Sequence, residues 1–185
     1  MKKNNLQKGF TLIELLMVVS IIALLSSVVV AGLTDARGGA KNNKRNELAR
    51  QYVTAFGLYH GEYGYYPKQY TDDTADNMDL ICLGSGYPTL PGGGNCYVEG
   101  PHSQNTNVNT AISEFAPGTP PSLEKTVVAG QEYFGISYRC LDDACTQYEL
   151  NWIVEGSGSS ANCFGGATKI ELGNIGLCTY DTTGS

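Results

Sequence analysis

The chain has 185 residues, 42% of them hydrophobic and 16% charged, with a formal net charge of −6. Such a length suits one domain, or one domain with an appendage, and the apolar content is enough to bury a core. The acidic balance excludes a chain-wide basic footprint for nucleic acid. The six cysteines, an even number with no C-x₂-C pair, point to disulfides in an oxidising compartment rather than to a soluble cytosolic enzyme.

Residues 1–9 form a short polar head with Lys2, Lys3 and Lys8 and no acidic residue. Residues 10–33 follow, 24 residues with Glu14 as the single charge. At ~1.5 Å per residue a helix of this length measures about 36 Å, enough to cross a ~30 Å hydrocarbon layer with some tilt. The basic head favours the cytoplasm for the amino terminus. Arg37, Lys41, Lys44, Arg45 and Arg50 beyond the span oppose that rule, and the cysteines settle the larger part outside. An ordinary secretory signal is the competing reading, with Val29-Val30-Ala31 as its cleavage site, but its apolar region is usually only 7 to 15 residues long.

The junction Lys8-Gly9-Phe10-Thr11-Leu12-Ile13-Glu14-Leu15-Leu16 resembles the prepilin junction of type IV pilins and pseudopilins. The motif covers about ten residues and the wider likeness about sixty, through the end of the first helix. The resemblance implies cleavage after Gly9 by a membrane peptidase and N-methylation of Phe10, leaving Glu14 as the fifth residue of the mature chain. A carboxylate within a span costs ~2.5–3.5 kcal/mol on insertion scales, so Glu14 needs a partner. The new Phe10 amine of a neighbouring copy is the expected one, a pair that marks register in a helical bundle. An i,i+4 pair within the chain is the local alternative. Many pilins carry a proline about twenty residues into the mature helix. Here Ala31-Gly32 stand at that place, and Gly32, Gly38 and Gly39 predict a kink or loosened turn between 32 and 39, or close packing of helices through small residues.

Residues 34–66 continue as an amphipathic helix. Leu48, Tyr52, Phe56, Tyr59, Tyr63 and Tyr66 recur at spacings of three and four and form its apolar stripe, with Arg45, Arg50, Gln51 and Glu62 opposite. Pro67 ends the helix near residues 61–65. From residue 51 onward there are 15 acidic residues against Lys68, Lys125, Arg139 and Lys169, a net of −11. An acidic head beside a basic stalk favours staggered association of copies.

Residues 67–185 form the head. Tyr133–Cys140 and Thr146–Glu155 read as a hairpin around Leu141-Asp142-Asp143-Ala144, Thr168–Leu172 as a third strand, and Leu177–Tyr180 as the sheet's end or a stapled tail. Ala111, Ile112 and Phe115 suggest a short helix broken by Pro117, Pro120 and Pro121. Six cysteines allow fifteen connectivities. The pairing that closes only local loops is Cys82–Cys96, Cys140–Cys145 and Cys163–Cys178. The glycines at 92–94 lack the residues of a phosphate loop, no nucleophile elbow is present, and His60 and His102 are too few for zinc. Asp72, Asp73, Asp76 and Asp79 could hold calcium, though without EF-hand order.

The expected fold is α+β: a long amino-terminal α-helix, its first half membrane-spanning, packed on a small antiparallel β-sheet in a type IV pilin-like, loop-rich head. The expected function is that of a structural filament subunit, with no enzyme activity, cofactor or metal and no specific nucleic acid. A type II secretion pseudopilin is the alternative within the class, and a membrane-anchored extracytoplasmic binding module that does not polymerise is the alternative outside it. The resemblance implies other pilin copies, a prepilin peptidase, a platform protein and an assembly ATPase as partners. It also implies a single-pass membrane precursor and an extracellular filament.

Overall fold

The computed structural model describes residues 10–70, 78–84, 94–97, 100–102, 105–116, 126–128, 131–133, 135–156 and 161–183. Its elements are α1 (Leu12–Tyr63), β1 (Ile81–Leu83), β2 (Gly94–Tyr97), β3 (Gly100–His102), α2 (Thr106–Ile112), β4 (Thr126–Val128), β5 (Gln131–Tyr133), β6 (Ile136–Cys140), β7 (Tyr148–Glu155), β8 (Thr168–Leu172) and β9 (Ile175–Asp181). Two compact units divide the chain, 1–37 and 38–185.

In the first unit, residues 12–37 are helical. Leu, Ile, Val, Met and Ala fill most of this stretch and carry good or tolerable helix propensity. Ser20 and Ser26 turn their hydroxyls back onto the carbonyls of Leu16 and Ile22 at 2.8 and 2.7 Å, so their polar groups are satisfied inside the helix. Among the described residues no helix is long and apolar enough to cross a membrane. The loosened turn expected between 32 and 39 is absent as secondary structure, because helix runs through all of these positions. An added Cβ at Gly38 or Gly39 would meet nothing within 4 Å, so close packing within the chain does not require glycine at either.

In the second unit, residues 38–63 of α1 lie on a five-stranded sheet of order β1-β6-β7-β9-β8, antiparallel at every pairing. The face of α1 that meets the sheet carries Ala49, Tyr52, Ala55 and Phe56, all at most 1% exposed. Small alanines bring the helix backbone close to the sheet and let the two aromatics reach between strands. Phe56 contacts Tyr138 at 4.8 Å and Tyr148 at 5.1 Å between ring centroids. Burying such a ring stabilises by ~1.5–3 kcal/mol, and truncating it to alanine would cost ~3–5 kcal/mol.

On β7 the even-numbered Tyr148, Leu150, Trp152 and Val154 join the main core. The odd side carries a second small cluster in which Ile153 joins Ile175, Leu177 and Tyr133, so the strand is covered on both faces. Polar neighbours on that odd side are paired: Arg139 with Glu149 at 3.1 Å, and Asn151 with Glu149 and Thr179 at 2.7 Å each.

Several expectations are corrected. The run from Tyr133 to Cys140 is not one strand, because Gly135 at φ +74° turns the chain and leaves β5 paired with β4 instead. Residues 177–180 do not form a tail: they belong to β9, which lies between β7 and β8. The helix near Phe115 is α2, set earlier by its cap, in which Asn105 Oδ1 accepts from Val108 N at 3.1 Å. Pro117, Pro120 and Pro121 lie outside the described residues. Arg45 is not on the exposed face, being only 4% exposed, because Glu155 at the end of β7 meets it at 3.1 Å. Tyr63, assigned to the apolar stripe, is 47% exposed, since the sheet does not extend beneath the last turn of α1.

Candidate assembly site

In the first unit the described large apolar side chains between Phe10 and Leu25 are exposed. Phe10 is 86% exposed, and the large side chains from Leu12 to Leu25 are 49–81% exposed. A helix apolar all round is ordinarily a buried one. At its start, Thr11 and Glu14 form a capping box: Glu14 Oε2 accepts from Thr11 N at 2.9 Å and from Thr11 Oγ1 at 2.8 Å, and Glu14 N donates to Thr11 Oγ1 at 3.3 Å. The carboxylate thus satisfies one backbone donor, Thr11 N, at the positive end of the helix dipole. Neither the neighbour's amine nor an i,i+4 partner is needed for that contact. The pattern T-x-x-E before an apolar run was legible at residues 11–14, and it identifies Thr11 as a residue of the site. Gly9 lies outside the described residues.

The second unit fastens α1 to its sheet through a polar seam that the helical stripe did not reveal. Asn42, 3% exposed, donates from Nδ2 to Glu155 O at 2.7 Å and accepts from Glu155 N at 2.8 Å. The β6–β7 ladder ends at the pair Ile136–Trp152, so this side-chain amide supplies strand-like partners beyond the end of β6. One turn on, Asn46 accepts from Trp152 Nε1 at 2.8 Å and donates to Asn162 O at 2.7 Å. An open cleft of about 450 Å³ lies beside this seam, lined by Asn43, Asn46, Glu47, Arg50, Asn162 and Phe164. The Arg50 guanidinium stands 5.5 Å over the Phe164 ring, and Phe164 stacks on Trp152 at 4.9 Å.

The head is tied by three disulfides, Cys82–Cys96, Cys140–Cys145 and Cys163–Cys178. The first joins β1 to β2, the second closes the β6–β7 turn, and the third holds the 161–164 segment to β9. Cys145 adopts φ +54° while its carbonyl accepts from Tyr66 N at 2.7 Å, which docks the chain leaving α1 onto that turn. Asp142 caps the same turn, accepting from Thr146 N and Oγ1 at 2.9 and 2.7 Å. Desolvation pushes its carboxyl up, but the hydrogen bonds from Thr146, Gln147 and Ala144 outweigh it and hold the carboxyl below its usual range. Of the acidic residues considered for calcium, Asp72, Asp73 and Asp76 lie outside the described residues. The Asp79 carbonyl accepts a hydrogen bond from Gln69 Nε2.

Residues 4–30 match the prokaryotic N-terminal methylation motif. Over 68 residues the chain is 37% identical to a type IV major pilin protein PilE of Neisseria gonorrhoeae, covering 37% of this chain and 41% of that protein. Over its amino-terminal region the chain is thus similar to type IV pilins. It is also 40% identical over 63 residues to a fimbrial protein of Neisseria meningitidis serogroup B, covering 32% of this chain and 37% of that protein. The matched stretch therefore spans about two fifths of these pilins' length. No solved structure matches. The α+β head, with its helix on an antiparallel sheet, is pilin-like in class.

Proposed function

We propose that this pilin-like chain is a structural subunit of a type IV pilus or related filament. Residues 1–9 are its leader, removed by a prepilin peptidase between Gly9 and Phe10, and the new Phe10 amine is methylated. Residues 10–33 hold the precursor in the membrane as a single span. After extraction by a platform protein and an assembly ATPase, the same residues bundle with those of other copies, and the heads tile the outside of an extracellular fibre. The observation that carries this reading is a methylation motif opening directly into a helix whose large apolar side chains are exposed on all sides. Like helices of other copies would cover those side chains.

Within the bundle Glu14 pairs with the Phe10 amine of a neighbour, and a misplaced register leaves a charge unpaired in apolar surroundings. Glu14→Gln separates this role from the capping one, because glutamine also serves in a capping box. Glu14→Gln and Glu14→Val are both expected to abolish fibres while the membrane level of the chain persists. Normal fibres from Glu14→Gln or from Glu14→Val would overturn the charge-pairing role. Intact mass of the chain from a sheared surface fraction tests the processing. The expected product begins at Phe10 and is heavier by one methyl group, whereas a chain beginning at Gly32 would mean a secreted soluble head.

A further inference from the structure

The last turn of α1 gathers three phenols that neither the core nor the assembly reading uses. Tyr59 and Tyr63, four residues apart on one helix face, have ring centroids 4.4 Å apart. Gly64, at φ +77°, then reverses the chain, and its N–H closes on His60 O at 2.8 Å. The reversal brings the Tyr65 ring to 6.0 Å from Tyr59 and 6.3 Å from Tyr63. Phe115 packs by its edge against both helix tyrosines at 5.8 and 6.5 Å, holding the rings in place. Tyr63 is 47% exposed and Tyr65 36%, so the cluster meets solvent. The buried tyrosines Tyr52, Tyr138 and Tyr148 do not.

We propose that this cluster is an oxidative modification site, at which Tyr59 and Tyr63 couple to an intramolecular dityrosine when the protein meets an external one-electron oxidant of the peroxidase and hydrogen peroxide class. Each phenol gives up one electron and one proton to become a phenoxyl radical. The two radicals join through ring carbons ortho to oxygen, and the two ring hydrogens at those carbons move to the oxygens and restore both phenols. Two tyrosines and one hydrogen peroxide thus yield one dityrosine and two waters. Tyr63 is the entry point by its exposure, and Tyr59 is the partner by its distance.

The surroundings favour coupling over loss of the radical elsewhere. All six cysteines are in disulfides, so no thiol is present to quench it. Trp152 is fully buried, and Phe115, which flanks the pair, has no hydroxyl to oxidise. The product staples the last turn of α1 covalently at the point where the chain turns into the head.

Full-length protein in detergent is treated with a haem peroxidase and hydrogen peroxide, and the monomer is then analysed by dityrosine emission and by mass spectrometry of the tryptic fragment spanning residues 51–68. The expected product has lost two hydrogens in that fragment, with the cross-link mapped to Tyr59 and Tyr63. Tyr63→Phe keeps the ring and its packing, is expected to leave Trp152 fluorescence unchanged, and should lose both the emission and the mass change. Tyr70→Phe, outside the cluster, should keep both. An unchanged fragment mass in the wild type, a cross-link formed only between molecules, or a Tyr63→Phe variant that still loses two hydrogens in this fragment would each overturn the proposal.

Discussion

Replacing Asn42 by alanine removes both hydrogen bonds that join α1 to the backbone of Glu155, at 2.7 and 2.8 Å. These bonds serve strand groups of β7 beyond the last β6 pair at Trp152, so no neighbouring strand takes over. An abandoned backbone donor or acceptor costs ~1–3 kcal/mol when it stays dry and less when water reaches it. Asn42 is buried but Glu155 is only partly so, which places the pair near the lower part of that range, about 2–3 kcal/mol in all. For a chain of this length that corresponds to a Tm lower by about 5–10 °C. The assay is urea unfolding of the full chain in detergent with disulfides intact, read by the fluorescence of Trp152, the single tryptophan. Its Nε1 bonds to Asn46 in the same seam, so it reports the region perturbed. Asn43→Ala, at an exposed neighbouring position, should stay within about 0.5 kcal/mol of wild type. A shift for Asn42→Ala no larger than that of the control would refute the view that side-chain amides continue the β7 ladder.

Other outcomes follow from the same geometry. The folded Asp142 carboxyl sits below its usual range, so its contribution is present above the unfolded value near ~4 and is lost as pH falls through the folded value. Asp142→Asn should therefore flatten the acid limb of stability against pH in an equilibrium titration. Removing Cys163–Cys178 by a double serine substitution should cost ~3 kcal/mol, and removing Cys140–Cys145 ~2 kcal/mol, by the chain-entropy model, because the loops span 15 and 5 residues of sequence. Denaturation of the two variants should preserve that order. Gly176→Ala would place a Cβ 2.7 Å from Lys169 Cε and 3.0 Å from Val154 Cγ2. The lysine end can move, whereas the packed valine cannot, so thermal unfolding should show a loss of ~1–3 kcal/mol.

What the sequence carried openly was local. The apolar run from residue 10, the junction at Gly9-Phe10, the helix end before Pro67 and the β6–β7 hairpin are each written in consecutive residues, and periodicity or a breaker suffices to read them. The T-x-x-E cap at Thr11 is equally local, four consecutive residues at the start of the apolar run. The seam was not legible in that way. Asn42, Arg45 and Asn46 look like one polar helix face, and only the β7 end, more than a hundred residues later in the chain, turns that face inward. Tyr63 failed for the converse reason, since helical spacing says which residues share a stripe but not where the sheet beneath it stops. The place of β9 depends on pairings with β7 and β8, which no local pattern encodes.

The position of β9 bears on the order in which the head can be completed. Among the described strands β9, the last of them in chain order, is not an edge but the link between β7 and β8. Until residues 175–181 are available, β8 has no strand to rest on and the sheet can advance only as far as β7. A nascent sheet therefore stays incomplete until β9 has been made. A nonsense mutation within β9 would not trim the sheet; it would divide it. The same arrangement delays burial of Cys178 until β9 docks, so Cys163, 15 residues before its partner, waits longest of the three, and oxidative folding of the described head should finish with the Cys163–Cys178 bridge.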